Sequence, residues 1–146
     1  MMMIRTHWLI GAVATLAVGS MGFVAGAHRE RTASARVFEL RTYTVLPGRL
    51  PALHKRFAEH TMAIFESHGM KNEWYGVPMD SARRENTLIY VISHESREAA
   101  DANWMAFAKD PEWIKARDAS EADGKILAKA PERVFMMVTA YSPAPR

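Results

Sequence analysis

Three side chains of one short segment have the types and the spacing to do chemistry together. In Val37–Val45 (VFELRTYTV), Glu39, Arg41 and Tyr43 recur at every second position, so an extended backbone projects them from one face. In one role Arg41 binds an anionic or carbonyl oxygen while Glu39 or Tyr43 handles a proton. In the other, Glu39 and Arg41 are an ion pair that fixes strand register at an interface between two copies, with Tyr43 filling space. The second role is the commoner one for such a pair. His94 closes a second apolar segment, Thr87–His94, on the same face as Tyr90. An imidazole's ordinary pKa of about 6.5 suits a general base or a haem ligand lining a barrel, and equally a strand-end residue that meets solvent. His60 falls on an apolar helical stripe, where a lone histidine is usually a hydrogen-bonded core residue.

Other chemistries lack their residues. The chain has no cysteine, which removes thiol catalysis, disulfides and zinc ribbons. Its six histidines never occur as H-x-H or four residues apart, so no metal site is expected. There is no G-x-S-x-G, P-loop or G-x-G-x-x-G, and no cofactor is expected. Trp104, Phe107 and Trp113 have the spacing of an aromatic box, but helical periodicity makes them core.

The elements that must position these groups follow from periodicity and punctuation. Val37–Val45 alternates as a strand, with Phe38, Leu40 and Thr42 opposite the polar set, and Pro47-Gly48 ends it. From Leu50 the period changes: Leu53, Phe57, His60 or Thr61, Ile64 and His68 mark an amphipathic helix, and Gly69 stops it. Met70–Val77 is a second strand, weakened by Lys71, Asn72 and Glu73, and 78–85 is a polar connection. Thr87–His94 is apolar on both faces at its start and is expected to be central. Ser96 caps a helix that runs to about Lys109; Asp110-Pro111 restarts one that continues to Asp123. Arg133–Tyr141 is the last strand. The order β-α-β-β-α-β is the ferredoxin-like α+β plan, with both helices on one face of a four-stranded sheet. The other face is then bare, and Tyr43, Tyr90 and Met137 are expected on it. A monomer rarely leaves such an apolar patch wet, so two copies should pair face to face as a homodimeric α+β barrel.

The length of 146 residues allows one ordinary domain. A net charge of +3 with interleaved signs does not suggest nucleic acid. Residues 1–27 read as an address: Arg5 precedes the uncharged stretch Trp8–Ala27, which ends in the small-x-small site Ala25-Gly26-Ala27. As a cleaved signal peptide it sends the domain to the periplasm or medium. As a retained anchor, residues 8–27 are long enough to cross a bilayer and would be the chain's one membrane contact. Residues 28–35 are a polar linker, and the domain occupies 36–146.

Several segments together resemble the NIPSNAP family. They are FELRTYTVLPG (38–48), Phe57 and His60 with the helix-ending His68-Gly69, NTLIYVISHESREAADANWMAFAKDPEW (86–113), and the closing Tyr-Ser-Pro (141–143). The resemblance spans about residues 36–146. It implies the dimeric α+β barrel, in agreement with the plan above, and implies no agreed reaction. Two functions from different classes remain. One is an exported homodimeric binding or interaction module whose barrel holds a small apolar ligand. The other is a cofactor-independent monooxygenase- or isomerase-like enzyme acting on a hydrophobic substrate, with Glu39, Arg41, Tyr43, Tyr90 and His94 as the barrel candidates.

Overall fold

In the computed structural model, residues 36–79 and 81–143 are described; the expected address and the linker fall outside them. Four strands form one antiparallel sheet in the order β2-β3-β1-β4, built from β1 (Val37–Thr44), β2 (Lys71–Gly76), β3 (Thr87–His94) and β4 (Glu132–Met137). The inner strands β1 and β3 pair along their whole length, from Val37 opposite His94 to Thr44 opposite Thr87. β2 slips register between Asn72 and Trp74, which re-aims the edge strand. This is the ferredoxin-like arrangement that the element order predicts.

The helices are α1 (Leu50–Arg56), α2 (Met62–Ser67), a single turn α3 (Ser81–Arg84) inside the expected polar connection, α4 (Arg97–Lys109) and α5 (Pro111–Ser120). Their starts follow the capping residues. Ser96 Oγ accepts from the Ala99 amide at 3.0 Å, and Asp110 Oδ1 accepts from the Glu112 and Trp113 amides at 2.7 and 3.0 Å, with Pro111 in the first turn. The second piece ends at Ser120 rather than Asp123, and β4 ends at Met137 rather than Tyr141.

α1 and α2 are joined by a π turn, Phe57–Thr61, and this corrects the stripe read from sequence. Leu53, Phe57, Thr61 and Phe65 form a buried row spaced by four throughout, with Leu50 and Arg56 also buried beside it. An α-helix of 3.6 residues per turn would rotate that row off the core, and the wider turn holds it in place. Thr61 Oγ1 donates to the Arg56 carbonyl across that turn (3.2 Å). His60 is displaced to the exposed side rather than the core that its spacing predicts.

The core lies between helices and sheet. Tyr43, Phe57, Phe65, Tyr90 and Phe107 meet there edge-on or tilted, with Leu53, Met70, Leu88, Ile92 and Ile126 filling between them. Ile126 comes from the loop before β4. That loop bonds back to the end of β1 through Leu46 N to Ile126 O and Ala128 N to Thr44 O, both 2.9 Å.

The faces are assigned the other way round from the expectation. Glu39, Arg41 and Tyr43 lie under the helices, and Tyr90 is fully buried there with Tyr43. Met137 is 82% exposed, but its register opposite Val37 puts it on the helix side too, beyond the helices' cover. The open face carries Phe38 and Leu40 of β1, Ile89 and Val91 of β3, Trp74 of β2, and Val134 and Met136 of β4. The reason is energetic. Helices that covered Phe38 and Leu40 would leave Glu39 and Arg41 without the side chains that now satisfy them.

Candidate functional site

The five candidates converge. Glu39, wholly buried on β1, has both carboxylate oxygens occupied. Oε1 accepts from Arg41 Nη1 at 2.9 Å, and Oε2 accepts from the Trp104 indole at 2.7 Å and lies 3.0 Å from His94 Nε2. A carboxylate only accepts, so Nε2 is the donor of the pair. On the far side of the ring, Asn103 Nδ2 donates to the Gly69 carbonyl (3.2 Å) and lies 3.4 Å from His94 Nδ1. The Gly69 carbonyl fixes which end of the amide faces the ring, so Nδ1 is the acceptor. Gly69 ends α2 at a φ of 74°. A side chain there would also meet the Asn103 amide at 3.3 Å, so the helix stop and the hydrogen-bond chain need the same glycine.

Arg41 continues the line. Its guanidinium carbon sits 4.4 Å from the centre of the Trp104 ring and 5.6 Å from that of Tyr43. Its Nε is buried and has no hydrogen-bond partner among the described residues. Tyr90 donates to the Tyr43 hydroxyl at 3.1 Å and stacks on Tyr75 with ring centres 5.1 Å apart.

The electrostatics follow from burial and partners. Burial opposes the ionisation of Glu39, but hydrogen bonds from His94 and Trp104 and the charge of Arg41 outweigh it, holding the carboxyl below its ordinary range. Burial likewise works against the charge of Arg41, yet Tyr43, Tyr90 and Glu39 beside it raise its pKa further. Burial pushes the Tyr90 phenol, and less strongly Tyr75, to higher pKa, so neither is a base near neutrality.

Such a constellation holds charge rather than exposes it. Glu39 has its donors in place and His94 is fully buried, so neither is open to a molecule in solution. This differs from the expected placement: the triplet and its ion pair lie under the helices, not on the bare sheet face. It ties β1 to β3 and α4 inside one protomer. Two members were missed as partners. The spacing of Trp104 marks it only as core and Asn103 carries no periodic signal, although both lie on α4 and face the end of β3. Phe107 is buried and Trp113 packs against the core, as their spacing predicts. Grooves lie elsewhere. One of about 440 Å³ is bordered by Arg56, His60 and Ser120, one of about 400 Å³ by Phe57, Met62 and Tyr75, and one of about 310 Å³ by Phe38, Met136 and Val138.

A four-stranded antiparallel sheet, helices on one face and a sealed polar line beneath them define a ferredoxin-like α+β domain. The chain belongs to the NIPSNAP family, whose model matches residues 38–143. Among solved structures it is similar to an uncharacterized NIPSNAP-like domain protein from Burkholderia xenovorans, at 15% identity and a TM-score of 0.64 over 77% of this chain and 92% of that one. It is also similar to two NIPSNAP family proteins from Agrobacterium tumefaciens. One has 20% identity and a TM-score of 0.60 over 77% and 95% of the two chains; the other has 17% and 0.63 over 75% and 98%. At these identities the likeness is one of fold. No curated protein matches the chain.

Proposed function

We propose that the protein is a homodimeric binding module, assembled through the open face of its sheet, that holds a small apolar ligand at the seam. The observation that carries this is the open face itself: Trp74 and Val134 are 55% and 54% exposed, beside half-buried Phe38, Leu40, Ile89 and Val91. Four strands of six to eight residues span roughly 500 Å² in projection. Side-chain relief raises the accessible area toward the ~800 Å² per partner of a standard interface. The occupant that fits is a second copy, because a twofold axis matches an apolar sheet to itself. At the end of this face the groove of about 310 Å³ beside Phe38, Met136 and Val138 supplies apolar walls for a ligand. The enzyme reading has less support, since the groups able to move a proton are closed off.

Native mass spectrometry of the protein purified from its own host tests both parts. A dimer carrying a retained small molecule is expected. A monomer at micromolar concentration overturns the assembly, and a bare dimer overturns the ligand. The proposal also takes residues 1–27 as an export signal, from the apolar stretch ending at Ala27. N-terminal sequencing of extracytoplasmic protein should begin at His28, and an intact Met1 in the membrane fraction would assign an anchor instead. No described helix is long and apolar enough to cross a membrane.

A further inference from the structure

On the helix side of the sheet, the outer strand β4 is not roofed: Arg133 is exposed, Phe135 is half-buried and Met137 is 82% exposed. Two arginines, Arg97 and Arg133, gather on this strip, and a third, Arg41, stands next to it under the helices. Arg133 stands directly opposite Arg41 in the β1–β4 register, so two guanidinium side chains project side by side from the same face. Like charges in that relation destabilise a sheet unless something compensates them. Around the next residue on that side, the guanidinium carbons of Arg97 and Arg133 lie 3.9 and 5.6 Å from the centre of the Phe135 ring.

The charges do not balance. Glu39 neutralises Arg41, and Asp101 lies 2.6 Å from Arg97 Nη1. Arg133 has no carboxylate partner among the described residues; its contact is the ring of Phe135. Glu132, its neighbour in sequence, points to the other face and is paired with Lys129. One uncompensated positive charge remains, on the strand position opposite Arg41. Next to it runs an apolar strip, Phe135 and then Met137.

We infer that this strip is a second ligand site, selective for a monoanionic carboxylate with a flat apolar body. Its head meets the planar donor fork of Arg133, supported by Arg97, and its body lies along Phe135 toward Met137. A single surplus charge suits a carboxylate better than a phosphate dianion. Stacking on one ring holds the two guanidinium groups in place before the ligand arrives, which lowers the ordering cost. The site lies on the face opposite the proposed dimer seam and does not depend on that assembly.

The test is calorimetric titration of the protein with 1-naphthoate and with its neutral isostere 1-naphthamide. Naphthoate should saturate at one per protomer, and the amide should bind at least about tenfold more weakly. Arg133→Met should weaken naphthoate by a similar factor without lowering the melting temperature, because the side chain is exposed and stands opposite the like charge of Arg41. Arg97→Met should act in the same direction, and Lys109→Met, at the far end of α4, should leave binding unaltered. Three results would each overturn the site: no saturable naphthoate binding, equal affinity for the amide, or undiminished affinity in a folded Arg133→Met protein. Because the readout is binding per protomer, it separates this inference from any failure of the dimer.

Discussion

On the helix side β1 presents Glu39, Arg41 and Tyr43, and all three are buried; on the open side the same strand presents Phe38, Leu40 and Thr42, all partly exposed. Polar groups inside and apolar groups outside reverse the usual distribution, and the two departures have different causes. The buried set is stable because its carboxylate is fully engaged: a guanidinium, an indole and an imidazole meet Glu39 at 2.7–3.0 Å, and only Nε of Arg41 is left without a partner among the described residues. The exposed apolar set has no such completion among the described residues. One face therefore fixes the protomer, and the other is where assembly is proposed.

Breaking the inner face should have the largest effect. Glu39→Gln leaves Arg41 charged and nearly buried without its counter-charge, a loss of about 3 kcal/mol or more by analogy with broken buried pairs. For a domain of this size that lowers the melting temperature by about 15 °C. Adding Arg41→Met removes the orphaned charge and should restore much of the loss, and the double-mutant cycle measures the coupling directly. A double variant no better than Glu39→Gln would locate the cost in the His94 and Trp104 hydrogen bonds instead. Acid should act on the same group. Glu39 has a folded pKa below its ordinary 4.5, so its contribution is present above that value and is lost as pH falls through the folded pKa. Melting temperature should fall on acidification below about pH 4.5, and the fall should be shallower in Glu39→Gln. Equal slopes in the two proteins would contradict the assignment.

Much of this inner face was legible, but not its direction. Alternation along 37–45 put Glu39, Arg41 and Tyr43 on one face, and His94 with Tyr90 on another strand, and all five meet in the structure. Alternation says which residues share a face; it does not say which face the helices choose. That choice is settled by partners far away in sequence: Trp104 is 65 residues from Glu39 and His94 is 55. The caps at Ser96 and Asp110 were legible because their chemistry is local. The π turn was not. A row spaced by four differs too little from helical periodicity for Thr61 and His60 to be told apart.

Breaking the outer face should dissociate the protein and leave the protomer's fold in place. Leu40→Glu puts a charge at the centre of the open face, and in a twofold dimer both copies carry it. Desolvation and like-charge repulsion should raise the dimer dissociation constant by about two orders of magnitude. Sedimentation velocity reads the dissociation, and circular dichroism should show unchanged secondary structure. An unfolded variant would mean that Leu40 supports the protomer, and the contrast between the faces would fail. A dimer of undiminished affinity would move the interface elsewhere.

The smallest effect tests whether the sealed face needs its helices locked at their ends. Asp110 does two tasks at once: Oδ1 caps α5 through the Glu112 and Trp113 amides, and Oδ2 lies 2.7 Å from Nε2 of His68 at the end of α2. Hydrogen bonds from the Trp113 amide and from His68 hold its carboxyl below the ordinary range. Asp110→Asn keeps an oxygen for the cap and removes the charge facing His68; Asp110→Ala removes both. Loss of the cap should lower the melting temperature by roughly 4–8 °C for a domain of this size. If the cap dominates, the alanine variant should melt that much lower and the asparagine variant within a degree or two of the parent. If the link to His68 dominates, the two variants should fall together. The folded pKa of Asp110 is lowered, so its share of stability is present above the ordinary carboxylate pKa and fades as acid protonates it. The parent and Asp110→Asn should therefore converge at low pH. A gap between them that persists after acid has protonated the carboxyl would show that geometry, rather than charge, joins α2 to α5.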